Sequence, residues 1–226
     1  EGFLLYAPQS MLQRDREERA LFAAEARAAN VCVDVGAHVG YFTCIACAAG
    51  TRTVAVEPLK DNLAVLKRNI ELNKFTNVEV CPVGLGARPG SAAIYGYSDI
   101  ASLIPSWNTG SAARTDTVAV STLDLLLGDR FRGQRLLIKI DLEGFEWDVL
   151  AGAAETLARE PKPVWMVEIF CHFLMTGAVN DRFRDVFEVF WQAGYQSFNV
   201  GNDLRPVGPN EIDTPGVGPN FLFRAR

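Results

Sequence analysis

The chain has 226 residues, 49% of them hydrophobic and 22% charged, with a formal net charge of −5. That length and balance fit one folded domain and exclude a disordered chain. The acidic balance argues against a nucleic-acid surface, and no apolar stretch is long enough for a membrane span.

Asp15–Ala29 brings Leu21, Phe22 and Ala26 onto one helical face. Val31–Val35 is an apolar, β-branched run of the kind found in buried strands. Gly36–Gly40 reads as a turn, Tyr41–Ala49 as a helix closed by Gly50, and Thr53–Val56 as a second strand. Asp61–Asn73 is a helix and Val78–Val83 a third strand. This alternation predicts an α/β fold, a mostly parallel sheet with helices on both faces. Ser91–Tyr97 and Thr117–Val120 read as extended segments. Ser98–Asp116 between them is too long for a plain connection and is either a mobile surface loop or a lid over the substrate.

The alternation resumes with a helix at Thr122–Leu127 and a strand at Leu136–Ile140. Phe145–Leu157 reads as one helix weakened in its middle by Gly152. A strand at Val164–Ile169, a helix at Asp181–Ala193 and strands at Tyr195–Val200 and Asn220–Phe223 complete the chain. Residues 1–30 form an amino-terminal segment and helix, and residues 31–226 one α/β domain. Glu1–Pro8 lacks the basic start and long apolar run of a signal peptide. The five cysteines are odd in number with mostly apolar neighbours, which suits free thiols in a reducing cytoplasm. Cys44 and Cys47 form a CxxC with no second pair for zinc.

In open α/β sheets, ligands bind beyond the carboxyl ends of the strands. Four predicted strands deliver an acid there: Asp34, Glu57, Asp141 and Glu168. Like charges gathered at one edge repel unless a cation or donor-rich ligand sits among them. Gly36 and Gly40 permit a tight turn before a helix, but the third glycine of a dinucleotide fingerprint and the lysine of a phosphate loop are absent. Asp34 would repel a pyrophosphate and suit an ammonium. Glu57, 21 residues after Gly36, is placed to accept both hydroxyls of a ribose. An amino acid joined to a nucleoside meets these demands, and S-adenosylmethionine is such a molecule. Its carboxylate is expected to face the helix amides after Gly36, so that a side chain at Gly36 would intrude on its methionine part.

Three stretches carry a resemblance: Val33–Tyr41, then Val56-Glu57-Pro58, then Lys139-Ile140-Asp141-Leu142-Glu143-Gly144-Phe145-Glu146. Together they resemble the FkbM family of S-adenosylmethionine-dependent methyltransferases, over about Val31 to Phe223. His38 departs from the Asn common in that place. The resemblance implies a Rossmann-like class I domain with a seven-stranded sheet whose last strand is antiparallel. It also implies O-methylation of a small molecule or saccharide, as in secondary-metabolite or glycan modification.

On this reading Asp34, Gly36, Ala37, His38, Gly40, Glu57, Pro58, Gly84, Leu85, Asp141 and Glu143 contact the cofactor. Glu146 reads as a first-turn acid favourable to its helix dipole. Asp141, Glu168 and His172 are the candidate catalytic groups, one of them removing the acceptor's proton. Glu168, at the end of an apolar strand, needs a partner: Lys139, His172, a substrate hydroxyl or a metal. Asp141 and Glu168 on neighbouring strands would hold magnesium if a divalent ion takes part, as in catechol O-methyltransferase. The alternatives are a Rossmann-type oxidoreductase and a non-catalytic S-adenosylmethionine-binding module. A homodimer is the statistical default.

Overall fold

The structure, a computed structural model, describes residues 2–6, 16–95, 115–172, 177–201 and 203–225. Its elements, in chain order, are α1 (Arg16–Ala28), β1 (Val31–Val35), α2 (Tyr41–Ala48), β2 (Arg52–Val56), α3 (Lys60–Leu72), β3 (Val78–Cys81), β4 (Gly84–Leu85), β5 (Gly90–Tyr95) and β6 (Thr115–Ser121). Then follow α4 (Leu123–Leu127), β7 (Leu136–Ile140), α5 (Glu146–Ala151), α6 (Ala154–Leu157), β8 (Val164–Glu168), α7 (Phe183–Gln192), β9 (Tyr195–Asn199), β10 (Arg205–Pro206) and β11 (Asn220–Ala225).

The main sheet has eight strands in the order β10-β9-β11-β8-β7-β1-β2-β3. Strands β3, β2, β1, β7 and β8 run parallel, and β11 lies antiparallel between β8 and β9. The expected seven strands are therefore joined by an eighth. It is the two-residue edge strand β10, whose Pro206 suits an edge because it needs no ladder donor. The segments read as merely extended build a second sheet, β4-β6-β5. The third predicted strand accordingly stops at Cys81, and Gly84–Leu85 turns away to pair with β6. Of the expected lid, only Thr115 and Asp116 fall within the described residues, and both belong to β6.

Alternate strand residues face opposite sides. Val31, Val33, Val35, Ile138 and Ile140 meet Leu123 and Leu127 of α4, Val149 of α5 and Phe187 and Phe190 of α7. On the other side Cys32, Leu137, Met166 and Leu222 meet Phe22 and Ala26 of α1 and Phe42 and Ala46 of α2. The helix expected over Phe145–Leu157 is divided at Gly152. A Cβ there would lie 2.3 Å from the carbonyl oxygen of Gly86, so this glycine lets the second sheet approach the helix pair. Asp124 of α4 then accepts hydrogen bonds from the Glu155 and Thr156 amides, starting α6 afresh.

All five cysteines are free, and Cys32, Cys44 and Cys47 are buried. Burial pushes the Cys44 thiol up to about 12 and that of Cys47 to about 11, so the CxxC is apolar packing in α2. Among the described residues no helix is long and apolar enough to cross a membrane.

Candidate active site

Strand order reverses between β1 and β7, the switch point at which such sheets bind ligands. Asp34 is the fourth residue of β1, and Asp141 follows β7 directly, its amide donating to the carbonyl of Val35 (3.1 Å). Asp34, Lys139, Asp141 and Glu168 fall on the same alternate set of strand positions as Cys32, Leu137 and Met166, the side that α1 and α2 cover.

Lys139 is fully buried. Its ammonium lies 3.5 Å from Asp141 Oδ2 and 3.6 Å from Glu18 Oε1, and sits over the Phe42 ring. The expected carboxylate partner is thus present, and a second comes from α1. Glu168, one strand over, has its carboxyl pushed well above the usual range, first by burial and then by the neighbouring Asp141 charge, to which it hydrogen-bonds. Burial and the Asp141 charge thus both favour the protonated form of Glu168. Glu143, held at φ +53°, joins them, and Asp141, Glu143 and Glu168 each offer an oxygen within 4.8 Å of the others. His172 is exposed, in a bridge opposite Val179, and makes no hydrogen bond or ion pair with these acids among the described residues.

The other acids are engaged within the protein. Asp34 Oδ2 accepts the Thr43 hydroxyl at 2.6 Å, which ties the end of β1 to the first turn of α2. Burial raises its pKa, and Thr43 and Lys139 pull the other way. Glu57 accepts from the His38 amide (2.9 Å), the Leu59 amide (2.8 Å) and Asn62 Nδ2 (3.3 Å), tying the glycine turn to α3. Burial still raises its pKa. A carboxylate has about four acceptor positions, so holding two ribose hydroxyls requires Asn62, the longest of the three bonds, to yield.

The glycine turn is correspondingly tight. The Gly36 and Ala37 amides both donate to Val56 O (3.0 Å each), and Gly40 N donates to Ala37 O (2.7 Å). The amides of residues 36–38 are thus committed, and a cofactor carboxylate must find other donors. Ala37 is buried against Leu63 and Leu66. Gly36 has φ +80°, and a Cβ on it would meet the Asp141 carbonyl oxygen at 2.1 Å. The glycine is required by the β1–β7 junction, and a side chain there would damage the fold rather than merely block a ligand.

Pro58, Gly84 and Leu85, all expected to contact the cofactor, lie close together in the structure. They meet Gly36, Ile94 and Phe145 around a cleft of about 40 Å³. That volume admits a few waters, so the cleft must widen to take a purine. Its apolar, partly glycine-lined walls fit a flat heteroaromatic ring, and Glu57, beside Pro58, fits the adjoining sugar.

Ile94, Phe145, Thr43 and Glu18 were not anticipated. Glu18 left a trace, standing four residues before Phe22 and eight before Ala26 on the helix face that is otherwise apolar. Ile94 left none, because its place in the cleft depends on how the second sheet folds back. Glu146 is buried, accepts the Gly144 amide at 2.9 Å, and burial pushes its carboxyl up to about 7.

The sequence matches the methyltransferase FkbM domain over residues 34–197. No curated protein matches it. Solved structures that share its fold include the following three. An O-methyltransferase from Bacillus cereus in complex with SAH is 12% identical, with TM-score 0.51 over 92% of this chain and 80% of that one. Precorrin-6y C5,15-methyltransferase from Geobacter metallireducens GS-15 is 13% identical, with TM-score 0.50 over 96% and 91%. A TehB-like SAM-dependent methyltransferase from Corynebacterium glutamicum is 12% identical, with TM-score 0.50 over 96% and 91%.

Proposed function

The chain belongs to the FkbM methyltransferase family, and from that premise we propose that it methylates a hydroxyl group of a small molecule or saccharide. When bound, S-adenosylmethionine supplies an electrophilic methyl group. Pro58, Leu85 and Phe145 would hold its adenine, Glu57 its ribose, and Asp34 and Asp141 would favour its ammonium.

The observation that carries the choice of acceptor is the pair of carboxyls, Asp141 and Glu168, brought within 4.8 Å of each other on neighbouring strand ends. A carboxylate and a carboxyl side by side present an acceptor and a donor together, which suits adjacent hydroxyls of a polyol. Asp141 takes the proton of the attacking hydroxyl, and Lys139, 3.5 Å away, limits the charge that builds on the pair. Family membership leaves the oxidoreductase alternative without support. His172 stands exposed and is not needed as the base.

The 4.8 Å cluster of Asp141, Glu143 and Glu168 favours a second reading, a divalent ion that lowers the pKa of the acceptor hydroxyl. We favour the metal-free route because the buried Lys139 already supplies a cation there. The test is methyl transfer to a panel of polyols, phenols and amines, before and after dialysis against EDTA. Turnover of polyols that survives the chelator, and that Asp141→Asn lowers about 100-fold or more, is expected. Loss that magnesium restores selects the second reading, and methylation of amines alone refutes both.

A further inference from the structure

We propose that the groove between α1 and α2 is a second ligand site, built for one long-chain organic anion. It is an open groove of about 530 Å³, within the range of small-molecule sites and far larger than the cleft beside Gly36. Ala20 and Ala23 of α1 face Ile45 and Ala48 of α2, with Phe3 and Leu5 of the amino-terminal segment alongside. The small side chains leave a channel with apolar walls.

Arg16, Arg19 and Arg27 stand along the α1 side of this channel, and no acid is among the described residues lining it. This concentrates positive charge on a chain whose net charge is −5. Among the described residues Arg16 and Arg19 have no ion-pair partner, and the Arg19 Nε is buried with no acceptor. A buried donor left unmatched is costly, and a carboxylate or phosphate head group would satisfy it through the guanidinium fork. A compact inorganic anion would leave the apolar channel empty. Three elements wall the groove, which fits a single alkyl chain better than the face of a bilayer.

The test titrates the whole protein with 11-(dansylamino)undecanoic acid and with the primary amine of the same length, following dansyl emission. Saturable binding of the acid at one per chain is expected, with the amine at least about tenfold weaker. Arg19→Gln should weaken the acid about tenfold, as loss of a charge-assisted hydrogen bond does. Ala23→Trp should fill the channel and abolish binding. S-adenosylhomocysteine titrations of both variants report on the rest of the fold, and if Ala23→Trp does not fold, Arg19→Gln decides alone. Equal affinity for acid and amine overturns the proposal, as does full binding by Arg19→Gln. Binding to anionic phospholipid vesicles without binding of the free acid overturns it too.

Discussion

Lys139 and Glu18 lie 3.6 Å apart with both side chains buried, so the first helix is bound by charge to the strand that leads into Asp141. Removing one member of such a pair leaves the other ionised out of water, which costs about 3–5 kcal/mol. Lys139→Met should lower stability by that much, and adding Glu18→Gln should recover part of it. Urea unfolding of the two variants checks this; a loss below about 1 kcal/mol in Lys139→Met would show that water reaches the site.

A pH effect follows from Glu146. Its folded value of about 7 stands above the ordinary 4.5, so the native state keeps a proton that the unfolded chain gives up. The resulting stability is complete below pH 4.5 and is lost as pH rises towards 7. The gap of about 2.5 corresponds to on the order of 3 kcal/mol. Glu146→Gln can retain the Gly144 hydrogen bond at Oε1 and should flatten the decline, leaving the variant more stable than the parent at pH 8. Thermal unfolding across pH 4–8 measures it, and parallel curves for the two proteins would refute it.

Glu57 has two duties that different substitutions separate. Glu57→Ala strands the half-buried His38 amide and the buried Leu59 amide and should cost about 1–3 kcal/mol of stability in addition to cofactor affinity. Glu57→Gln keeps an oxygen for Leu59 but turns its NH2 on the His38 amide, so it should lose less stability than Glu57→Ala, yet bind S-adenosylhomocysteine about tenfold more weakly. Wild-type affinity in Glu57→Gln, measured by calorimetry, would place the ribose elsewhere.

Asn69 and Asn73 hold the amino-terminal segment to α3. Asn73 exchanges hydrogen bonds with the Leu4 backbone, and Asn69 does so with Tyr6. Asn69 Nδ2 also donates to Val39 O in the glycine turn, at 2.8 Å. Asn73→Ala should therefore loosen only the segment. Asn69→Ala should also speed amide exchange over residues 36–40 and weaken S-adenosylhomocysteine binding. Equal affinity in the two variants would uncouple the segment from the turn.

The parallel core was legible because β1, β2, β7 and β8 are short apolar runs flanked by turn residues, and burial on both faces demands that pattern. The acids at their ends were legible for the same reason, since a charge closing an apolar run stands out. What each acid touches was not. Asp34 reads from sequence as a ligand contact, and in the structure it also accepts the Thr43 hydroxyl of α2. That contact rests on a side chain nine residues away turning back, which spacing alone does not encode. The small second sheet was hidden because β4 has two residues and β6 pairs with it only after a long excursion. The division at Gly152 was half visible, since the glycine showed but its contact with Gly86 did not.

The pairing of Tyr95 with Thr115 closes the β5–β6 hairpin in register. The chain leaving the second sheet and the chain entering it are thus held side by side by strands the main sheet does not use. Doubling the length of a loop between such fixed ends costs only about 0.6 kcal/mol. Changing the length of chain between residues 95 and 115 is accordingly expected to leave the main sheet's stability within about 1 kcal/mol, which makes this hairpin the place to insert a reporter without touching the strands that carry the acids.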